Sequence, residues 1–100
     1  VNEPLNALVS RGHRALDSMY DASEALAALR VVRRSTDGLV TVEVDSHGSV
    51  IGLELADDLT RESAERLTTL VVQTATAAAR DALAAREDVL RSMQTSLTET

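Results

Sequence analysis

The chain has no cysteine, no tryptophan and no phenylalanine, and Tyr20 is its single aromatic residue. Without cysteine there is no disulfide framework, no thiolate metal site and no Cys nucleophile. Without a set of rings there is no platform on which single-stranded bases could stack. The core must also form without large side chains. Lysine is missing as well: all ten bases are Arg. No apolar run approaches the roughly 20 residues needed to span a bilayer. Val1-Asn2-Glu3-Pro4 lacks the basic region and apolar stretch of a signal peptide. The expected location is the cytoplasm.

What is present is a chain of 100 residues, 44% of them apolar and most of those Ala, Leu or Val. That length suits one small domain. A chain this short buries a modest share of its surface, so a partner subunit often completes the core. Close helix packing, which Ala and Leu serve well, is the expected source of that core.

The net charge is −6, and it is unevenly placed. Residues 1–36 hold five Arg and four acids, a balance of +1. Residues 37–60 hold six acids and no base, a balance of −6. Residues 61–100 hold five Arg and six acids, a balance of −1. The acidity is therefore concentrated in the middle of the chain.

That middle is also where the periodicity changes. From Asn2 to Leu29 apolar residues recur at helical spacing: Leu5, Leu8, Gly12, Ala15, Met19, Ala22, Leu26 and Leu29. The 3-4 spacing describes a seam held for more than three heptads. It reads either as a core-facing amphipathic helix or as a coiled-coil-like arm. Arg30 to Thr36 is rich in β-branched residues and reads as a strand. Asp37-Gly38 is a turn signal, because Gly accepts positive φ and Asp tolerates the tight turn. Val40, Val42 and Val44 then share one strand face, and after the Ser46-His47-Gly48-Ser49 turn Ile51, Leu53 and Leu55 share another. These six side chains make a sheet face that must be covered. Asp57 or Thr60 is positioned to cap a second helix, expected from about residue 60 to 96. Its apolar positions include Leu67, Val71, Ala75, Ala78, Ala82, Val89 and Met93. Leu97 to Thr100 reads as a frayed tail.

The expected fold is α+β, in the order α-β-β-β-α: a helix over 1–29, a three-stranded antiparallel meander over 30–55 and a helix over 60–96, in a single domain of residues 1–100. A helix rises 1.5 Å per residue, so both helices outrun strands this short. They must protrude, and their apolar stripes call for a second chain. A homodimer is the expected solution. Leu26, Leu29, Val40, Val42, Val44, Ile51, Leu53, Leu55, Leu67, Val71, Ala75 and Ala78 are the expected core and dimer residues.

The hairpin residues Gly38, Val40, Val42, Gly48, Val50, Leu53 and Leu55 resemble the G-x-V-x-V…G…V-x-x-L/V-x-I/L pattern of the bacterial YbaB/EbfC family. There is one extra residue before the second Gly. Leu67, Leu70, Val71, Ala78, Ala79 and Arg80 resemble that family's second-helix pattern. The likeness covers Arg30 to Ala85, and the first helix in type only. It implies a tweezer-shaped homodimer that binds duplex DNA with little sequence specificity, in nucleoid organisation or gene regulation. The chain departs from the usual members in its acidity and in lacking their Lys-, Gln- and Met-rich first helix. It is similar in composition to an acidic, Ala-rich branch linked to type VII secretion loci. That likeness implies an alternative, a non-enzymatic protein-interaction or chaperone-like accessory factor without direct DNA binding.

Duplex binding starts with phosphate neutralisation. Helical spacing offers acidic partners to Arg14 (Asp17), Arg61 (Glu65), Arg66 (Glu62) and Arg91 (Glu87). It offers none to Arg11, Arg30, Arg33, Arg34, Arg80 or Arg86, which are the candidate DNA contacts. Arg30, Arg33 and Arg34 group at the base of the first helix. No helix-turn-helix or zinc-finger pattern supports sequence-specific reading. Ser10, His13 and Asp17 lie on one continuous helix with no oxyanion-hole motif, which argues against a triad. His13, Asp17 and Asp21 read as a solvated face rather than a metal site. No enzyme activity, cofactor, metal, membrane or small-molecule substrate is expected.

Overall fold

The computed structural model describes residues 3–58 and 62–99. Its elements run α1 (Glu3–Ala28), β1 (Val31–Arg34), β2 (Val40–Val44), β3 (Val50–Leu55) and α2 (Ala64–Thr98). The strands form one antiparallel sheet in the order β1-β2-β3. The molecule measures 77 × 17 × 15 Å, with a radius of gyration of 20.5 Å. A compact chain of this length has a radius of about 13 Å. The excess is the protrusion expected when helices of this length meet strands of five residues.

Both hairpin turns are built from a Gly at positive φ and an Asp that gathers donors. At the first, Gly38 has φ 75° and its N–H donates to the Ser35 carbonyl at 2.9 Å. The Asp37 carboxylate accepts the Ser35 hydroxyl at 2.7 Å and the Leu39 N–H at 3.2 Å. At the second, Gly48 has φ 78°. There the Asp45 carboxylate accepts the N–H groups of His47 at 2.9 Å and Ser49 at 3.1 Å. Hydrogen bonds to the charged form hold both carboxyls below the ordinary Asp value. For Asp37 the Ser35 hydroxyl leads, and for Asp45 the His47 N–H leads.

Val40, Val42 and Val44 of β2 are wholly buried. Ala78 and Ala82 of α2 close over them, flanked by Leu29, Val31, Leu39, Leu67, Leu70, Val71 and Ala75. The expected six-residue covered face is only half covered. Leu55 pairs with Val40 and Leu53 with Val42, so these leucines share the valine face, yet they remain 42% and 49% exposed. Ile51 falls at the irregularity where the register passes from Gly52 to Val50, and it is 47% exposed. The reason is width. A helix is about 10 Å across and strands are about 4.8 Å apart, so α2, lying over β1 and β2, leaves β3 uncovered.

The cap of α2 is Ser63, whose hydroxyl accepts the Arg66 N–H at 3.1 Å. Asp57 lies outside the helix, and Thr60 lies outside the described residues. At the other end the helix runs on through Leu97, and the Glu99 N–H donates to the Thr95 carbonyl. Beyond the sheet, α2 packs antiparallel against α1. Ala22 is buried there, and Ala15, Ser18, Leu26 and Leu29 are partly buried. The expected α1 seam is thus divided: its C-terminal half faces α2, while every residue from Glu3 to Arg14 is exposed. Arg14 and Asp17 stand level with Ser96 and Glu99 at the end of α2. The first 11 residues of α1 therefore overhang by about 16 Å.

The glycines and the turn carboxylates give three stability predictions. A Cβ on Gly48 would sit 3.2 Å from the Ala79 Cβ, on a backbone at positive φ. Gly48→Ala should cost about 1–2 kcal/mol in denaturant unfolding. A Cβ on Gly12 would meet nothing within 4 Å, so Gly12→Ala should add about 0.8–1 kcal/mol. Because the Asp37 and Asp45 pKa values are lowered on folding, their stabilisation is complete above the unfolded value. It fades as pH falls below about 4. An Asp37→Asn/Asp45→Asn double variant should be less stable at pH 7 and lose Tm less steeply on acidification. A parallel acid limb in the two proteins would refute this.

Candidate nucleic-acid interface

The six candidate arginines do not form one patch. Strand period separates neighbours: Arg33 pairs with Val42 and so lies on the α2 side of the sheet, while Arg34 pairs with Thr41 on the open side. Arg33 reaches across to α2, where its guanidinium donates to the Asp81 carboxylate at 2.7 Å. Helical spacing gave Arg33 no partner. Asp81 is 48 residues away in sequence, and only the packing of α2 beside β1 brings it close. Arg34 curls to the Gly38 carbonyl at 3.5 Å.

Arg30 serves the end of α1. Its guanidinium donates to the Leu29 carbonyl at 2.7 Å and the Ala27 carbonyl at 3.2 Å. These are among the carbonyls that a helix C-terminus leaves without partners, and a cation there also suits the dipole. Its charge also helps hold the Asp45 carboxyl below the ordinary value. Arg11 lies on the overhanging part of α1, and Arg80 and Arg86 lie on α2. Among the described residues none of these three has an ion-pair partner.

Other expected pairs were partly redrawn. Arg66 pairs with Glu62 at 2.7 Å as the spacing suggests, and also with Asp37 at 3.1 Å, tying the first turn to the start of α2. Arg91 pairs with Asp88 at 3.1 Å rather than with Glu87. Arg14 has no ion pair with Asp17 among the described residues. Arg61 falls outside the described residues.

The open face of the sheet carries Arg34, Thr41, Glu43 and Glu54, with Val32 60% exposed among them. Two carboxylates against one guanidinium make it a poor phosphate surface. The positive groups instead lie along the β1 edge and on the helices. Among the described residues no group of three His, Asp or Glu side chains is arranged to hold a metal ion. Among them, too, no helix is long and apolar enough to cross a membrane.

Residues 3–97 match the model of the YbaB/EbfC DNA-binding family. Among solved structures, the chain is similar to the crystal structure of an uncharacterized protein, HP0035, from Helicobacter pylori. The TM-score is 0.66 at 17% identity, over 90% of this chain and 92% of that one. At that identity the likeness speaks for the fold alone. No curated protein matches the chain.

Proposed function

Because the chain belongs to the YbaB/EbfC DNA-binding family, we propose that it binds duplex DNA with little sequence specificity, as a cytoplasmic homodimer acting in nucleoid organisation or gene regulation. Family membership over nearly the whole chain carries this reading. The arginine set supports it: Arg30 and Arg34 donate to backbone carbonyls and form no ion pair within 4 Å, and Arg11, Arg80 and Arg86 carry no ion pair among the described residues. Arg33 completes the contact set by exchanging Asp81 for a phosphate. A two-fold copy doubles every one of these positions. The absence of a recognition helix and of aromatic platforms fits contact with the phosphate backbone rather than with base edges.

The acidic open face of the sheet favours a second reading, an accessory protein-interaction role linked to type VII secretion. Native co-purification separates the two. A protein partner recovered without DNA would favour the second reading, and DNA recovered alone would count against it.

Titration of random duplex DNA in a gel shift tests the main reading. Binding should appear at micromolar protein in low salt and fall steeply as salt rises. No shift under those conditions would overturn it. Replacing Arg30, Arg33 and Arg34 together by Gln should weaken binding by about an order of magnitude and flatten the salt dependence. Asp81→Asn should strengthen binding a few-fold, since it frees Arg33 from an exposed pair.

A further inference from the structure

Two arginines stand directly before two hydroxyls in Arg33-Arg34-Ser35-Thr36, where β1 runs into the first turn. The two hydroxyls differ. Ser35 is half-buried, and its hydroxyl donates to the Asp37 carboxylate at 2.7 Å and accepts the Val40 N–H at 3.1 Å. Thr36 is exposed, and its hydroxyl has no hydrogen-bond partner among the described residues. Other hydroxyls near arginines are spent. Thr68 and Thr69, which follow Arg66, donate to the Ala64 and Glu65 carbonyls inside α2. The Ser63 hydroxyl caps that helix. Ser49 is exposed in the second turn, but the residues just before it include Asp45 and no Arg. Among the described residues, Thr36 alone combines an exposed, unspent hydroxyl, a non-helical backbone and two arginines upstream.

We propose that Thr36 is a phosphorylation site, and that a phosphate there switches off DNA contact at the β1 edge. The inference rests on the DNA-binding reading above and adds its regulation. The modifying enzyme is a Ser/Thr protein kinase whose acidic groove takes arginines two and three residues before the acceptor, a charge match that selects substrates. Access is open, because β1 is a short edge strand on which Val32, Arg33 and Arg34 are all exposed. The transfer consumes a nucleoside triphosphate. The Thr36 Oγ1 bonds to the γ-phosphorus as the bond from that phosphorus to the β–γ bridging oxygen breaks. The nucleoside diphosphate leaves with the bridging oxygen, and the hydroxyl proton passes to a carboxylate of the kinase.

The product has partners at hand. Arg33, Arg34, Thr36 and Gln73 line a recess of about 160 Å³ between the end of β1 and α2. The Arg34 guanidinium lies over the same turn, 3.2 Å from where a Cβ on Gly38 would stand, and its carbonyl contact there is long at 3.5 Å. A phosphothreonine carries about −1.5 to −2 charges and three strong acceptor oxygens, and it draws arginines into charge-assisted bonds. Residues 28–36 hold three Arg and no acid, so the modification leaves that stretch with about one positive charge. Two carboxylates already border it: Asp81 on Arg33, and Asp37 held by Ser35, Leu39 and Arg66. With these counted, the edge passes from net basic to net acidic and repels a DNA phosphate.

The full chain is incubated with ATP and the catalytic subunit of cyclic-AMP-dependent protein kinase, used as an arginine-directed probe. Peptide mapping by mass spectrometry should place one phosphate, on Thr36. Thr36→Ala and the double variant Arg33→Gln/Arg34→Gln should each abolish it, and Ser49→Ala should not. No phosphate on Thr36, or phosphate chiefly on Ser35 or Ser49, overturns the proposal. The phosphorylated chain should bind random duplex DNA about tenfold more weakly than the unmodified chain at low salt, with a shallower salt dependence. Equal affinity would refute the switch. An unmodified chain that binds no DNA overturns the DNA-binding reading and the switch with it, while the mapping still decides whether Thr36 is the acceptor. Phosphorus NMR supplies a readout independent of DNA: a phosphate held by arginine should titrate below its ordinary second pKa of about 6. Titration at the ordinary value would mean that the arginines do not hold it, and would overturn that part of the proposal.

Discussion

Three valines of β2 packed under two alanines of α2 hold the two halves of this molecule together. Val40, Val42, Val44, Ala78 and Ala82 are all fully buried, and no larger side chain shares their cluster at that depth. Alanine at the contact lets the helix backbone come down close to the sheet, which the Gly48–Ala79 approach shows directly. That contact fixes the line of α2 over β1 and β2. It thereby decides which strand is left bare, which side of α2 meets β1, and how far the helix runs past the sheet to receive α1. A five-residue strand cannot match a 35-residue helix, so α2 beyond Ala82 and nearly all of α1 form an arm that projects from the sheet.

The arm and sheet together have two chemically distinct flanks. One carries β1, Arg33, Asp81 and a groove between the helices in which Ser18, Asp21, Ser92 and Ser96 mix with Ala22, Ala25, Val89 and Met93. The other carries the exposed Leu, Val and Met side chains and the uncovered leucines of β3. A monomer with a core of three valines and a few alanines has little hydrophobic stabilisation to set against chain entropy. Much apolar surface accordingly stays exposed on the helices and along β3.

Local pattern made the element order legible, because period-two valines, two Asp- and Gly-bearing turns and long helical stretches each have short-range causes. It also identified Val40, Val42 and Val44 as core. Relations between elements were not legible. Alternation could place Leu53 and Leu55 on the valine face but could not say that a single helix is too narrow to reach them. Helical spacing found Glu62 for Arg66, yet it could not find Asp37 for the same side chain or Asp81 for Arg33, since both arise from tertiary packing. The α1 seam was visible as a repeat. Its division between a half facing α2 and an overhanging half depends on where α2 ends, which is a property of another segment. Ser63 lost out to earlier polar residues for a similar reason, because capping needs the actual onset of helical backbone and not merely a suitable side chain.

An acidic chain in a DNA-binding family poses a problem of location rather than of sum. At physiological salt, charges farther apart than about 8 Å are largely screened, so a phosphate responds to its immediate neighbours and not to a net charge of −6. Two stretches are locally basic. Residues 28–36 hold three Arg and no acid, with Asp81 of α2 set against Arg33, and residues 4–16 hold two Arg and no acid. Along α1, Arg14 and Arg30 are about 24 Å apart. Between them the polar flank carries Asp17, Asp21 and, from α2, Asp88. A duplex laid along the arm would have to pass those carboxylates, so contact is favoured at the two ends and opposed in the middle. Discrete contacts of this kind release few counterions each and tolerate any sequence. For the DNA binding proposed above, this charge pattern calls for weak, salt-sensitive contact with the phosphate backbone.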